Sequence, residues 1–322
     1  MRLPLAVLIS LLVFARPAMS QDRGRPEMLP IMRKAIRAMQ ELRYTGTREV
    51  QFRKGAEAKR HMEQVIRDGP NSRTEFPPGS PFAGQVIVET GRERYHYFPD
   101  LKEVHVQPAR RKEMMSRLFD IKFMRGRDKG VKLSTAQGPV VAGIRTEQVV
   151  FSTGSGSVIQ RVHIDPRSGV VLKREMFDHA GAPVGGFEFT RINLNPPPFD
   201  PRIFRIHVPG AKWLRQEDLA ARLSKQNGFL FLTFPGSEQL VLENSRLFDI
   251  ERIPVLAQMY NSPKGRISLF QIKGDIEPQR LRRFARGEFN THAWKFQGRN
   301  FVLVGEQDAA ELQRLAKRLT ER

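Results

Sequence analysis

A chain of 322 residues with a formal net charge of +20 and no cysteine has no disulfides, no thiolate metal sites and no lipobox for lipid anchoring. Its length is ample for a core and fits two domains. The charge steers it toward phosphates or carboxylates: nucleic acid in a cytosolic protein, but anionic lipid headgroups, lipopolysaccharide or an acidic segment of a membrane protein after export. A basic surface with no special partner is the plainer alternative.

Residues 1–20 combine Arg2, an apolar run from Leu3 to Ala15, and small residues at Ala18 and Ser20. This pattern predicts an export signal cleaved before Gln21. The alternative, a membrane anchor, needs roughly 20 apolar residues, and this run is about thirteen. Next, Pro26–Arg43 carries Leu29, Met32, Ile36, Met39 and Leu42 at helical spacing, with Arg33, Lys34, Arg37 and Arg43 on the remaining surface. The spacing predicts an amphipathic helix that buries its stripe on the concave face of the following sheet, either as core or as one wall of a groove.

Tyr44–Lys54 and Lys59–Arg67 read as a hairpin around Gly55. The stretch Asp68–Gly84 is rich in Pro and Gly and reads as a long mobile loop. Gln85–Gln107 is the clearest β-meander in the chain: Val86 and Val88, then Tyr95 and Tyr97, then Val104 and Val106 share one apolar face. The turn Pro99–Lys102 pairs Tyr97 with Val104, Tyr95 with Val106, and His96 with His105 on the opposite, polar face. Arg110–Arg125 returns to helical spacing with Met114, Met115, Leu118, Phe119 and Phe123. Strands follow at 130–135, 140–153, 158–165, 170–178 and 184–192, with turns at Asp165–Gly169 and Asp178–Gly181 where glycine suits a positive φ.

The order YxYFPDLKEVxV (Tyr95–Val106), an intervening helix, then HIDPRSGVVLKREMFDHAG (His163–Gly181) resembles the lipoprotein-carrier fold shared by the LolA chaperones and the N-terminal domain of the RseB/MucB sigma-E regulatory family. The resemblance implies an α+β fold whose first domain, residues 21–209, is an unclosed antiparallel half-barrel with helices across its concavity. An apolar groove there suits an acyl chain, and its expected lining is Met32, Ile36, Met39, Val86, Val88, Tyr95, Tyr97, Val104, Val106, Met115, Leu118 and Phe119.

Asn195–Pro201, NPPPFDP, breaks regular structure, which puts the boundary near Pro209. Residues 210–322 read as a small α+β domain: a helix at Gln216–Gln226, strands at Phe229–Phe234 and Leu240–Leu242, a hairpin Val255–Tyr260 with Arg266–Lys273, a basic helix Pro278–Arg286, a strand Phe301–Gly305 and a closing helix Glu306–Leu319. Trp294 with GRNFVLVGE, and VLAQMYNSPKGRISLFQI (Val255–Ile272), resemble the RseB/MucB C-terminal domain. In that family this domain contacts the periplasmic part of a membrane-bound anti-sigma factor, and the N-terminal domain senses mislocalised lipoproteins or lipid-like ligands. Within Pro278–Arg286, Arg280, Arg282, Arg283 and Arg286 form a cationic face that fits an acidic partner segment or lipid phosphates; a solvated basic face is the alternative.

Seven histidines are scattered, and only His96 and His105 are placed together, without a third metal ligand. Gly154-Ser155-Gly156 lacks both the nucleophile-elbow spacing and a P-loop lysine. The reading is therefore not an enzyme, with no metal and no cofactor. It is a periplasmic sensor that binds an anti-sigma factor and lipid or lipoprotein acyl chains; a LolA-type carrier is the alternative. Export argues against nucleic acid, and a homodimer stays open.

Overall fold

The computed structural model describes residues 30–54, 57–109, 131–178, 180–250, 252–274 and 289–321. The expected export signal, the helix at 110–125 and the basic helix at 278–286 lie outside these residues.

Helix α1 (Pro30–Glu41) buries Ile31, Met32, Ala35 and Ala38 along one stripe. Strands β1 (Arg43–Lys54) and β2 (Glu57–Asp68) pair in continuous register, from Arg43 opposite Asp68 to Lys54 opposite Glu57. The chain then departs from the expected mobile loop. Gly69, at φ +52, opens a two-residue turn with Pro70, and β3 (Asn71–Glu75) returns beside β2. The Gly-Pro pair that reads as a breaker is the tip of a hairpin. The rest of the loop folds into consecutive turns closed by Gly84 N–H to Phe76 C=O at 3.0 Å and Gln85 N–H to Phe82 C=O at 3.0 Å.

Strands β4 (Val86–Glu89), β5 (Glu93–Phe98) and β6 (Glu103–Pro108) form the meander in the expected register, with Tyr97 opposite Val104, Tyr95 opposite Val106 and His96 opposite His105. Strands β7 (Val131–Val141) and β8 (Ile144–Thr153) are joined by Ala142 and Gly143 at φ +49 and +80, the pair of positive values that a tight hairpin turn requires. Strands β9 (Val158–Ile164), β10 (Val171–Phe177) and β11 (Pro183–Asn193) complete this run. At the β9–β10 turn the Asp165 carboxylate accepts from the backbone N–H of Arg167 and Ser168 at 2.9 and 3.2 Å. Gly169 (φ +84) lies so close to the Lys34 carbonyl that an added Cβ would meet it at 2.8 Å, while Lys34 Nζ donates to Pro166 C=O at 2.6 Å. This turn therefore fixes α1 on the sheet.

The first sheet has the order β12-β6-β5-β4-β3-β2-β1-β11-β10-β9-β8-β7, where β12 is Lys212–Leu214. Every pairing is antiparallel except β12 with β6. Thus β12, which follows the expected boundary at Pro209, still extends the first sheet. Beyond it come α2 (Gln216–Gln226), β13 (Leu232–Thr233), β14 (Val241–Ile250), β15 (Ile253–Ser262), β16 (Gly265–Ile272), β17 (Asn290–Phe296), β18 (Arg299–Gly305), α3 (Ala309–Lys317) and β19 (Thr320–Glu321). The second sheet runs β14-β15-β16-β18-β17, and β13 pairs with β19. Ala220 of α2 and Leu312 and Leu315 of α3 pack with Tyr260, Leu269, Phe301 and Leu303 in one core. The strand expected at 229–234 shrinks to two residues, because Gln271 holds Leu230 through a side-chain amide instead of a strand ladder. The fold class is α+β with open sheets, as expected.

Candidate functional site

Strand period decides where the expected groove residues go. Val86, Val88, Tyr95, Tyr97, Val104 and Val106 share one face, since Val86 faces Tyr97 and Val88 faces Tyr95 across β4–β5. Helix α1 lies over the opposite face. Its Met32, with Ile36 and Met39, packs on Val149, Phe151, Val162 and Phe187. Phe187 pairs with Val50, Val50 with His61, and the unbroken register from β2 to β6 carries that face to Thr74, Ile87, His96 and His105. Arg67, also on this face, donates to the Met39 carbonyl at 2.9 Å. The expectation that Met32, Ile36 and Met39 close a groove over the meander valines is corrected: the pleat sends the two sets to opposite sides. Met115, Leu118 and Phe119, and the cations Arg280, Arg282, Arg283 and Arg286, lie outside the described residues.

The outer, valine-bearing face has a different lid. The proline-rich connector after β11 returns across it, anchored by Arg73 of β3, whose Nη1 donates to Ile203 C=O at 3.0 Å. A short 3-10 turn (Pro201–Phe204) follows Asp200, whose carboxylate accepts from Arg202 N–H at 2.8 Å. Phe204 is buried, as are Val88, Val104 and Val106. Arg43 stands over the Phe199 ring at 5.8 Å. Between connector and sheet lies a cleft of about 540 Å³, lined by Tyr95, Phe199, Pro201, Phe204, Ile206 and Trp213, with Asp68, Asn71, Thr90 and Arg205 as polar neighbours. Tyr95 and Trp213 meet edge to face at 5.9 Å, and Trp213 remains 48% exposed at the mouth. Of the expected groove residues that are described, only Tyr95 reaches the cleft lining. Phe199 escaped the sequence reading because Asn195–Pro201 reads as a breaker, Phe204 because 204–208 reads as a closing strand where the structure has the end of a 3-10 turn, and Trp213 because it falls between the expected boundary and the next helix; the density of aromatic and proline residues was the available signal.

The inner face of the meander is less wet than the alternation suggests. The rings of His96 and Phe98 meet at a tilt, centroids 3.9 Å apart, and those of Phe98 and His105 do so at 4.5 Å. His96 Nε2 bonds to Gln85 Oε1 at 2.8 Å, and burial, reinforced by neighbouring Arg94 and His105, pushes its pKa down to about 4. Glu103, 8% exposed, uses both carboxylate oxygens: Oε1 accepts from Arg222 Nη1 of α2 at 2.6 Å, and Oε2 meets His105 Nε2 at 2.9 Å. The Arg222 hydrogen bond, then His105, holds its carboxyl below the usual range. Farther along this face His61 pairs with Glu63 at 2.9 Å among Phe52, Phe76 and Phe82. Among the described residues no group of three or more His, Asp or Glu side chains could hold a metal, and no helix is long and apolar enough to cross a membrane.

The molecule is thus an α+β protein built on an open antiparallel sheet that carries a helix on one face and a cleft on the other. No family model matches the chain, and no curated protein matches it. Similar solved structures include MucB in complex with MucA(peri), at 13% identity over 91% of this chain and 98% of that one, TM-score 0.42. The Pseudomonas aeruginosa MucA/MucB complex gives 15% identity, the same coverage and TM-score 0.43. A LolA superfamily protein from Nitrosomonas europaea gives 13% identity over 55% of this chain and 96% of that one, TM-score 0.28. The likeness is one of fold.

Proposed function

We propose that this protein is a periplasmic sensor of the RseB/MucB kind: it binds the extracytoplasmic segment of a membrane anti-sigma factor, shields it, and releases it when an amphiphile with an acyl chain occupies the cleft. The observation that carries this reading is the position of Trp213. It lines the cleft on β12, and within three residues the chain enters α2, whose Ala220 is fully buried in the core of the second sheet. A ligand that moves Trp213 therefore acts on a segment shared by both parts of the molecule. A carrier needs only the cleft; a sensor needs this connection. The sequence resemblance in Tyr95–Val106, His163–Gly181 and Val255–Ile272 supports the same reading, with a first domain at 21–209 and a second at 210–322. Tyr95, Phe199, Phe204, Ile206 and Trp213 give the cleft an apolar lining, and the net charge of +20 favours acidic partner segments and anionic headgroups.

The test is native mass spectrometry of the tagged protein taken from membranes in mild detergent. A stoichiometric single-span membrane protein with an acidic extracytoplasmic segment is the expected companion. A bound lipid or lipoprotein with no such partner would replace this reading by the LolA-type carrier.

A further inference from the structure

Glu103 is the most unusual carboxylate on the inner face: buried, on the last long strand before the sheet edge, and bonded across the chain to a helix that begins 113 positions later. A buried carboxylate is costly unless it is paired and hydrogen-bonded. Here the pairing is shared between His105, from its own strand, and Arg222, from α2. Arg222 lies 38% exposed, so the bond sits at the rim, where one end is fixed and the other can reach water. Trp213 and Leu214 of β12 pair with Val104 and His105 of β6. The cleft wall, β6 and the root of α2 are therefore adjacent in both sequence and space.

We propose that the Glu103–Arg222 pair is a latch that sets the position of the second part of the molecule relative to the first sheet, and that displacement of Trp213 by a cleft ligand opens it. This deepens the sensor reading and rests on it for its trigger, but the latch itself is testable without any ligand. His105 acts as a positioning residue, holding the second carboxylate oxygen while its ring packs at a tilt against Phe98. Opening the latch leaves Glu103 bonded to His105 alone and frees Arg222 to water, so the closed state is favoured by the charged partner it gives a buried carboxylate and the open state by guanidinium hydration.

The absence of cysteine permits a clean measurement. Spin labels at Leu101→Cys and Phe296→Cys, both exposed and both outside the cleft, report the distance between the two sheets by pulsed dipolar spectroscopy. A single narrow distribution is expected for the otherwise unchanged chain. Arg222→Ala and Glu103→Gln should each broaden or shift it, Arg222→Lys should restore part of the narrow component, and Arg215→Ala, which removes an exposed contact with Glu93 and leaves the Glu103 pair intact, should leave it unchanged. Circular dichroism melting confirms that each variant is folded. An unchanged distribution in folded Arg222→Ala and Glu103→Gln overturns the latch. Adding a lauroyl lysophosphatidylglycerol probe then separates the two readings: a shift in the unchanged chain that matches Arg222→Ala supports the trigger, whereas latch variants that shift while the probe has no effect keep the latch and reject the cleft as its trigger.

Discussion

The two faces of the meander β4–β6 come from the same alternating residues and meet different fates. The outer face carries valines and is closed by the connector through Phe204. The inner face carries His96, Phe98 and His105, stays half-buried, and uses hydrogen bonds and tilted ring contacts in place of close packing. Alternation tells which side chains share a face; what covers each face is decided by segments distant in sequence.

Truncation should separate the two faces most strongly. Phe204→Ala should cost about 3–5 kcal/mol in urea unfolding, as for other fully packed phenylalanines, while half-buried Phe98→Ala should cost roughly half as much or less. Equal losses would mean that the inner face is packed as tightly as the outer. A second difference lies in pH. Because burial lowers the pKa of His96 in the fold, its contribution is complete above its ordinary value of 6.5 and is lost as the pH falls toward about 4. After discounting for partial solvent screening this is about 1–2 kcal/mol, and His96→Gln should flatten that limb of the stability curve. On the outer face the sign reverses. Tyr95 donates to Glu93 at 2.5 Å, and that hydrogen bond raises its pKa, so its contribution is complete below pH 10 and is lost as the pH rises past it; Tyr95→Phe should lessen the alkaline limb and leave the acid limb unchanged. The smallest effect is expected at Trp213. Trp213→Ala should cost about 0.5–1.5 kcal/mol, the worth of its edge-to-face contact with Tyr95, yet abolish quenching of tryptophan fluorescence by a brominated acyl probe.

Much of the first sheet was legible in the sequence. The four-residue turn Pro99–Lys102 specified the register of Tyr95, His96 and Tyr97 against their partners because turn length and pleat leave one solution. Asp165 and Gly169 announced their turn through side-chain capping and positive φ. Strand β3 was hidden because Asn71–Glu75 has no apolar residue; its pairing comes from Gly69 and from Arg73, which bonds to Glu75 at 2.6 Å as well as to the connector. Strand β14, Val241–Ile250, was shortened to its apolar start because the polar Glu243, Asn244 and Ser245 interrupt the pattern. Strand β17 was missed because His292, Trp294 and Phe296 make a face only when stacked beside Phe301. The cleft was not legible, since its wall comes from the connector, read as a boundary, and from Trp213, placed by a parallel pairing with β6 that no local pattern encodes.

The most direct measurement is the affinity of the purified chain for the extracytoplasmic segment of the proposed anti-sigma partner, by calorimetry, with and without a saturating lauroyl amphiphile. Linkage requires that an amphiphile which releases the partner also binds more weakly in its presence, by the same factor. A sensor should lose partner affinity by at least about tenfold, equivalent to about 1.4 kcal/mol of coupling, with the reciprocal loss for the amphiphile. Equal partner affinity in the empty and occupied states would contradict the sensor reading.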